Sequence, residues 1–184
     1  FSVLRHIEIT PPLSGAKRLA IEQLPYTSVA RVYLQAKRRF WAEENPYVYV
    51  DTDLPILWMY DHTATQPGPR GILEGQAIGA EARRITQMTE SDRLQFGLGQ
   101  VEQVFPGARG HFERGVTKCW DEDPWARGGY AYFKPGKMRA FLPDIARPEG
   151  RVHFAGEHTS PWAGWMEGAL ESGLRVAREI SGIL

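Results

Sequence analysis

Hydrophobic and polar residues follow regular periods in the first part of the chain. Between residues 29 and 36 they alternate, which is typical of a β-strand with one buried face. The predicted strand has an apolar face of Ala30, Val32, Leu34 and Ala36, opposite Arg31 and Tyr33. Before it, apolar residues recur at helical spacing, which predicts a helix over residues 14–23. Ser14 is a suitable N-cap for this helix, and Pro25 ends it.

The following segment continues the mixture of strands and helices. Further strands are predicted over residues 47–51, 56–60 and 71–79. A polar stretch with two prolines, residues 63–70, is predicted to be a loop. Two helices are then predicted, over residues 80–88 and 91–105. Because the chain contains strands and helices without internal repeats, we expect a mixed fold of the α+β class.

The C-terminal segment has the longest helical pattern. Residues 151–155 resemble a buried strand, and a glycine-containing loop leads to a helix over residues 165–180. The apolar stripe of this helix comprises Trp165, Met166, Ala169, Leu170, Gly173, Leu174, Ala177 and Ile180. Glycine inside a helix costs about 1 kcal/mol relative to alanine. Gly168 and Gly173 therefore indicate a close approach, either by a neighbouring element or by a flat cofactor near the helix start.

A second unusual segment is rich in aromatic residues. Residues 118–136 contain two Trp, two Tyr and one Phe among glycines, prolines and acids, with no helical or strand period. This pattern predicts a loop that either packs on the surface or lines a pocket, because binding residues concentrate on loops held by a rigid scaffold.

Charge and composition exclude several classes of protein. The 184 residues carry 22 basic and 22 acidic side chains, so a dedicated nucleic-acid-binding protein, which needs excess positive charge, is not expected. No apolar run reaches the roughly 18–20 residues of a membrane span. The single cysteine, Cys119, allows neither a disulfide framework nor a cysteine-based zinc site. His153, Glu157 and His158 match no metalloprotease spacing, so no metal site is predicted.

The start of the sequence favours a part of a larger protein. Residue 1 is Phe, and the first five residues are already apolar and strand-like. A proteolytic product, one chain of a processed enzyme and a piece of a longer protein all remain open. The compartment cannot be read from this sequence, with the cytoplasm slightly favoured.

The segment FAGEHTSPWAGWMEGALESGLRVAREI, residues 154–180, resembles the C-terminal flavin-binding signature of the flavin-containing amine oxidases. Its GEHTS wording and its Gly164-Trp165 pair look most like the L-amino acid oxidase branch, since monoamine oxidases typically have Gly-Tyr there. Residues 9–41 resemble the first helix and strand of the family's substrate domain. TDLPI at residues 52–56 is similar to the amino-acid oxidases, and WDEDPWARGGYAYFKPG resembles the loop that brings aromatic residues to the flavin.

The resemblance also implies a domain division. Family members begin with a dinucleotide-binding GxGxxG, which this sequence does not contain. The resemblance therefore implies a partial substrate-binding domain at residues 1–115 with a sheet and flanking helices. Residues 116–140 would be an aromatic loop lining the active site. Residues 141–184 would supply the C-terminal strand and helix of a Rossmann-like FAD-binding domain, completed by an N-terminal part in the same or a separate chain. A homodimer is a further expectation.

Residue roles follow from the family's motif. The resemblance implies that Gly156 and Glu157 hold the ribityl–diphosphate part of FAD and that Met166 donates its backbone N–H to the flavin pyrimidine. Gly164 would offer its carbonyl to the substrate amine, and Trp165 would form an aromatic wall of the substrate slot while also lying against the cofactor. The remaining predicted aromatic contacts are Tyr130 as the opposite wall, Tyr132 as the second choice for it, and Trp120 beside the isoalloxazine.

Two positions depart from the family. Some amine oxidases bond the flavin covalently through a cysteine in the aromatic loop, but Gly128, Gly129 and Tyr130 offer none, so FAD should bind non-covalently. The family's active-site lysine, which holds a water near flavin N5, falls on Arg31. Arginine stays protonated and is bulkier. Either Arg31 takes this catalytic role, the alignment slips, or another group activates oxygen.

The function that the resemblance implies is FAD-dependent oxidation of an L-amino acid by hydride transfer to flavin N5. The products would be a 2-oxo acid, ammonia and hydrogen peroxide, with O2 as the second substrate. An amine or polyamine oxidase on the same scaffold is the alternative, and the carboxylate-binding arginine that separates them lies, in the family, in sequence outside this chain. The other alternative is a non-catalytic fragment or subunit that needs a partner chain.

Overall fold

The computed structural model describes residues 1–42 and 48–182. The helices are α1 (Gly15–Gln23), α2 (Gly79–Thr86), α3 (Glu90–Val104), α4 (Lys137–Ala146) and α5 (Met166–Ser181). The strands are β1 (Tyr26–Thr27), β2 (Val29–Ala36), β3 (Tyr49–Asp51), β4 (Trp58–Asp61), β5 (Gly71–Ile78), β6 (Phe112–Cys119) and β7 (Tyr130–Ala131). The mixed fold class is confirmed. The predicted strand over residues 47–51 starts outside the described residues at Tyr47, and its described part begins at Tyr49.

The chain forms two compact units. Unit 1 contains residues 1–27 and 124–184, and unit 2 contains residues 28–123. These units are defined by compactness, so the functional ranges 1–115, 116–140 and 141–184 stay a prediction. Within the described parts of both units, no helix combines the length and the apolar character needed to cross a bilayer.

Unit 2 is an antiparallel sheet with helices on one face. Its strand order is β3-β4-β5-β2-β6. The apolar face of β2 packs on α3, where a Cβ on Gly97 would come within 2.7 Å of the Val32 side chain, so the glycine permits the close approach of helix and sheet. The core of this unit comprises Val32, Leu34, Ala36, Trp41, Ile56, Met59, Leu73, Val101 and Ala108. The other face of β2 consequently carries the side chains of Arg31, Tyr33 and Gln35, in line with the predicted alternation.

Unit 1 is held together by a buried lysine. Ser14 caps α1 as predicted, because its side chain accepts a hydrogen bond from the Lys17 backbone N–H at 3.2 Å. Lys17 Nζ donates to the carbonyl oxygens of Ile145 and Arg147 at 2.8 and 2.7 Å, and lies 3.6 Å from the centre of the Phe154 ring. Burial lowers the pKa of Lys17 to about 8. The lysine therefore satisfies carbonyl groups at the C-terminal end of α4 and links α1 to α4.

Two predictions of strands in unit 1 are wrong. Residues 151–155 form only an isolated antiparallel bridge between Glu149 and Val152, with Phe154 buried and its neighbours more exposed. A strand needs a neighbour for its hydrogen-bond ladder, and the described residues offer this segment none beyond that bridge. The apolar first residues form a short 3₁₀ turn over Leu4–His6 instead of a strand.

The start of the aromatic segment also differs from its prediction as a loop. Lys118 and Cys119 end β6, where Cys119 pairs with Ala30 of β2. Cys119 is buried, as expected for a small apolar residue, and burial raises the pKa of its thiol. The sequence analysis predicted no element over residues 112–117 and therefore missed the whole of β6, because FERGVTKC shows no clear alternation of apolar and polar residues.

Candidate active site

The loop before α5 is organised by the carboxylate of Glu157. Its Oε1 accepts a hydrogen bond from the backbone N–H of Ala131 at 2.9 Å, and its Oε2 accepts one from Gly164 at 2.6 Å. One side chain thus connects β7, which carries Tyr130, to the Gly164-Trp165 pair. Hydrogen bonds to a charged acceptor are stronger than neutral ones, at about 1.5–3 kcal/mol each. The sequence-predicted residues Tyr130, Glu157 and Gly164 therefore lie together in unit 1, and Glu157 fixes their relative positions.

Gly164 and Tyr130 are in direct contact. Gly164 has a φ of 82°, a conformation that favours glycine, and a Cβ at this position would lie 3.4 Å from the Tyr130 ring. Tyr130 is half-buried, whereas Tyr132 is more exposed and is tied through its backbone N–H to the Pro25 carbonyl at 3.1 Å. Tyr130, and not Tyr132, consequently packs against the glycine that precedes Trp165.

The first turn of α5 is open to a ligand. Trp165 occupies the N-cap position in an extended conformation, and no side chain caps the helix. Its side chain is 67% exposed, and that of Met166 is 80% exposed. A cavity of about 570 Å³ lies beside them, lined by Trp162, Trp165, Glu167 and Glu171. Unpaired N–H groups at a helix N-terminus attract negative charge, so the apolar aromatic surface here adjoins N–H donors of the helix end as well as the carboxylates of Glu167 and Glu171.

The predicted close approach along α5 occurs at one of its two internal glycines. A Cβ on Gly168 would lie 3.3 Å from the Ser160 side chain and 3.0 Å from the Trp162 carbonyl carbon, and closer still to its oxygen. Gly173 has nothing within 4 Å of its Cβ position in the described chain. Gly168 therefore lets the loop that carries Trp162 fold back onto the first turn of the helix.

Polar residues attach the other side of α5 to its unit. Buried Ser172 accepts a hydrogen bond from the Gly156 N–H at 2.9 Å, and Arg175 donates to the Phe154 carbonyl at 2.7 Å. The sequence analysis missed both residues, although their spacing from Gly168 along one helix face is a usable signal. The apolar stripe meanwhile points outward, with Met166, Leu170, Leu174 and Ile180 exposed.

Gly156 lies against the ring of His158, one of the two histidines near it. Gly156 has a φ of 136°, and a Cβ there would come within 2.5 Å of the His158 ring. Burial, with the nearby positive charge of Lys17, lowers the pKa of His158 to about 3. His153 instead contacts Glu179 at 2.9 Å. Across residues 1–42 and 48–182, no three His, Cys, Asp or Glu side chains are grouped to hold a metal ion.

Arg31 lies in a polar cluster on the open face of the unit 2 sheet. Its Nε is 3.3 Å from Oε1 of Glu74, a carboxylate that is only 1% exposed, and His62 contacts the other oxygen of Glu74. Tyr33 and Tyr60 are the direct neighbours of Glu74 on the adjacent strands. Burial, followed by the phenol of Tyr49 and the charge of Glu74, raises the pKa of Tyr60 to about 12.

Sequence reasoning did not identify Glu74 or His62. Glu74 could have been found, because it is the one charged residue of strand β5 and a buried acid needs a partner.

Trp120 directly follows β6 and lies beside Lys118, whose register partner on β2 is Arg31. The ammonium of Lys118 is 4.8 Å from the centre of the Trp120 ring and 2.6 Å from Oδ2 of Asp123. Trp120 begins a short 3₁₀ turn directly after β6. The predicted contact of Trp120 with the isoalloxazine stays a prediction, as do the cofactor and substrate roles of the other site residues.

Comparison with known proteins gives consistent matches along the whole chain. A putative L-amino-acid oxidase of Bacillus subtilis (strain 168) is 36% identical over 98% of this chain and 39% of its own length. Amine oxidase [flavin-containing] B of Cavia porcellus is 32% identical over 95% of this chain and 34% of its length. The chain therefore spans about two fifths or less of these curated relatives.

The structure is also similar to solved proteins. Cyclohexylamine oxidase from Brevibacterium oxydans IH-35A matches with a TM-score of 0.84 and 25% identity, over 98% of this chain and 40% of that protein. A putrescine oxidase variant matches with a TM-score of 0.85 at 21% identity, over 98% of this chain and 41% of that protein, which supports the fold alone. The sequence of residues 1–181 matches the family described as flavin containing amine oxidoreductase. Together with the loop and helix start described above, this match establishes that the chain belongs to the flavin containing amine oxidoreductase family.

Proposed function

We propose that this chain is the C-terminal part of an FAD-dependent oxidase that deaminates an L-amino acid to a 2-oxo acid, ammonia and hydrogen peroxide. The observation that carries the proposal is the start of α5, where an uncapped helix end, the exposed ring of Trp165 and the contact between Gly164 and Tyr130 occur together. The 36% identity to a protein named as a putative L-amino-acid oxidase favours amino acids as the substrate class.

The residues of unit 1 fit a flat cofactor that becomes more negative on reduction. The helix end offers unpaired N–H donors, and the rings of Trp162 and Trp165 are exposed beside the cavity. The N–H of Met166 would hold the flavin pyrimidine, and Gly156 and Glu157 would lie along the ribityl–diphosphate part. Bound FAD supplies the hydride acceptor and returns the electrons to O2.

The chain's own contribution to the reaction is alignment and exclusion of water. The carbonyl of Gly164 would accept a hydrogen bond from the substrate amine, while Trp165 and Tyr130 would enclose an apolar side chain. Since Glu157 holds Gly164 at 2.6 Å, the carbonyl and the Trp165 ring are fixed relative to α5 before substrate arrives. Such pre-positioning converts binding energy into rate. No cysteine lies between Trp120 and Gly136, so FAD would be held non-covalently.

The experiment that tests the proposal is anaerobic reduction of the purified full-length enzyme. A panel of L-amino acids, their D-enantiomers and the corresponding amines is mixed with the oxidised enzyme, and flavin bleaching is followed in a stopped-flow instrument. We expect rapid bleaching with L-amino acids, together with stoichiometric ammonia, 2-oxo acid and peroxide in air. Bleaching by amines alone would replace this proposal with the amine oxidase alternative.

That alternative has support of its own. Amine oxidase [flavin-containing] B of Cavia porcellus is 32% identical to the chain, and cyclohexylamine oxidase is similar in structure. An amine or polyamine oxidase would use the same walls and the same Gly164 carbonyl, and would differ in having no substrate carboxylate to bind. If the full-length protein contains no flavin at all, the chain belongs to a non-catalytic fragment or subunit.

A further inference from the structure

Lys17 of α1 is a cation that lies inside unit 1, with 0% of its surface exposed. Its Nζ donates hydrogen bonds to the carbonyl oxygens of Ile145 and Arg147 at 2.8 and 2.7 Å. The same atom lies 3.6 Å from the centre of the Phe154 ring. An ammonium group has three N–H donors, so two carbonyl oxygens and one aromatic face match its donors one to one. A charge is rarely buried unless it is paired in this way, which indicates a specific role for the lysine.

The ring beneath this ammonium group belongs to the segment that is predicted to hold part of the cofactor. Residues 154–157, named here the cofactor segment, include the glycine and the glutamate that the resemblance places along the ribityl–diphosphate part of FAD. Two hydrogen bonds attach the backbone of this segment to α5. The Phe154 carbonyl accepts one from Arg175 at 2.7 Å, and the Gly156 N–H donates one to Ser172 at 2.9 Å. The buried ring of Phe154 is held from α1, by the lysine.

The attraction between Lys17 and the ring requires the charged form of the lysine. A neutral amine has only two N–H donors and a lone pair. If both donors stay on the carbonyl oxygens, the lone pair points at the electron-rich face of Phe154, and the attraction is replaced by repulsion. The apolar packing of the same ring on Leu13 and Ile21 does not depend on this proton.

We propose that Lys17 is a positioning residue for the cofactor: its ammonium group holds the ring of Phe154 and thereby keeps the cofactor segment in the arrangement that receives FAD. Because Lys17 is fully buried, it acts through Phe154. All of these residues belong to unit 1. The inference uses the cofactor role predicted for Gly156 and Glu157, and it does not depend on whether the substrate is an amino acid or an amine.

The proton of Lys17 is lost within an accessible pH range. Burial, more than any neighbouring charge, lowers the pKa of Lys17 to about 8. The charged and titratable groups that face it are Asp144 of α4, Arg147 and Glu149 after it, His158, and Arg175 of α5. The carboxylates raise this pKa and the arginines lower it, so the neighbours partly cancel and desolvation decides the direction.

Raising the pH through about 8 has two consequences of opposite sign. Between about 8 and 10.5, the ordinary pKa of lysine, the unfolded chain binds a proton that the folded chain has released. The contribution of Lys17 to the free energy of unfolding therefore increases with pH in this window. The affinity for FAD should instead fall, because only the charged form holds Phe154. A loss of FAD in this window consequently cannot come from a loss of stability caused by this lysine.

The test measures the dissociation constant of FAD for the full-length enzyme, from the fluorescence of released flavin in dilution series between about pH 6.5 and about pH 9.5. Lys17→Met removes the charge at similar length, and Phe154→Leu removes the aromatic face while keeping an apolar side chain. Lys37→Met is the matched control for the loss of an exposed ammonium group, and Val101→Ala, in the core of unit 2, is the control for lower stability alone. Hydrogen exchange of the cofactor segment, measured at one pH, reports its order without FAD or turnover.

We expect Lys17→Met to weaken FAD binding by about 3- to 30-fold below about pH 8, the range for a desolvated contact between a cation and an aromatic ring. In the parent, the dissociation constant should rise above about pH 8, by at most about tenfold per pH unit. This rise should be absent in Lys17→Met and Phe154→Leu and retained in Lys37→Met. Hydrogen exchange of the cofactor segment should be faster in Lys17→Met and unchanged in Val101→Ala.

Three results would overturn the inference: parental FAD affinity in Lys17→Met, parallel pH profiles of the parent and Lys17→Met, or an equal loss of affinity in Val101→Ala. If Lys17→Met does not fold, Phe154→Leu decides, because a pH profile like that of the parent would exclude the ring contact from cofactor binding. A full-length protein that binds no flavin contradicts the proposed function. Hydrogen exchange of the cofactor segment then decides separately whether Lys17 positions it.

Discussion

Replacing Gly168 by alanine tests the packing that shapes the start of α5. The added Cβ would lie 3.3 Å from Ser160 Cβ, 3.0 Å from the Trp162 carbonyl carbon and nearer still to its oxygen. A backbone carbonyl cannot rotate away as a flexible side chain can, so the loop from Ser160 to Trp162 must shift by about half an ångström or more. Overpacking of this kind costs typically about 1–3 kcal/mol.

Alanine is also about 1 kcal/mol more favourable than glycine inside a helix, and this gain in stability offsets part of the overpacking cost. The two figures leave a net cost of about 0–2 kcal/mol, and because the obstacle is backbone we expect Gly168→Ala to lie in the upper half of that range. Gly99→Ala in α3 is the matched control, because nothing lies within 4 Å of its Cβ position and the propensity gain should appear alone. Thermal unfolding of both full-length variants should therefore place Gly168→Ala below the parent and Gly99→Ala at or above it.

The functional consequence of the same change is a displaced Trp165. A shift of the loop at Trp162 is transmitted to the Gly164-Trp165 pair, so flavin reduction should slow by about tenfold or more even in the folded, flavin-loaded fraction. Gly168→Ala with parental unfolding temperature and parental reduction rate would refute the close approach and the packing argument built on it.

Three further outcomes are expected. Trp165→Ala should slow flavin reduction on the order of 10²-fold with unchanged flavin content, because the ring would form a wall of the substrate slot; normal reduction in a destabilised Trp165 variant would remove the ring from that role. Acid or heat should release the flavin from precipitated full-length enzyme free of peptide, because the aromatic loop has no cysteine, and yellow protein after washing would contradict this. Stability should fall as pH drops from about 6.5 towards 3, because burial depresses the pKa of His158 to about 3 and the unfolded chain binds the proton first. Urea midpoints should then decline more steeply in the parent than in His158→Gln, by at most about 1.4 kcal/mol per pH unit, and parallel pH profiles would exclude His158 as the cause.

Local sequence patterns determined the regular elements where period and end signals agree. The alternation in β2 and the Ser14 cap of α1 were read correctly, and α5 begins within one residue of its prediction. These features depend on contacts between residues close in sequence, so they can be predicted from the sequence without knowledge of the fold. The resemblance to the flavin-binding signature could be recognised for the same reason, because the residues of the signature are contiguous in the sequence.

Pairings between distant segments were decided by tertiary structure alone. Residues 151–155 have a strand-like composition, yet a strand requires a partner, and only the isolated bridge at Val152 forms among the described residues. Arg31 was recognised by its place in a motif, but its ion pair with Glu74 and its register opposite Lys118 depend on β2 lying between β5 and β6. Sequence spacing contains no information about that register.

The helix α5 shows most clearly which features follow from the sequence pattern and which depend on the tertiary structure. Its amphipathic period was evident, and the apolar stripe was the natural face to bury. Within the part of the protein that this sequence covers, the attached face is the polar one, through Gly168, Ser172 and Arg175, while Leu170 and Leu174 have no neighbour that buries them. Periodicity identifies the two faces of a helix, but which face meets a neighbour depends on what the rest of the chain places beside it, and only the three-dimensional arrangement supplies that.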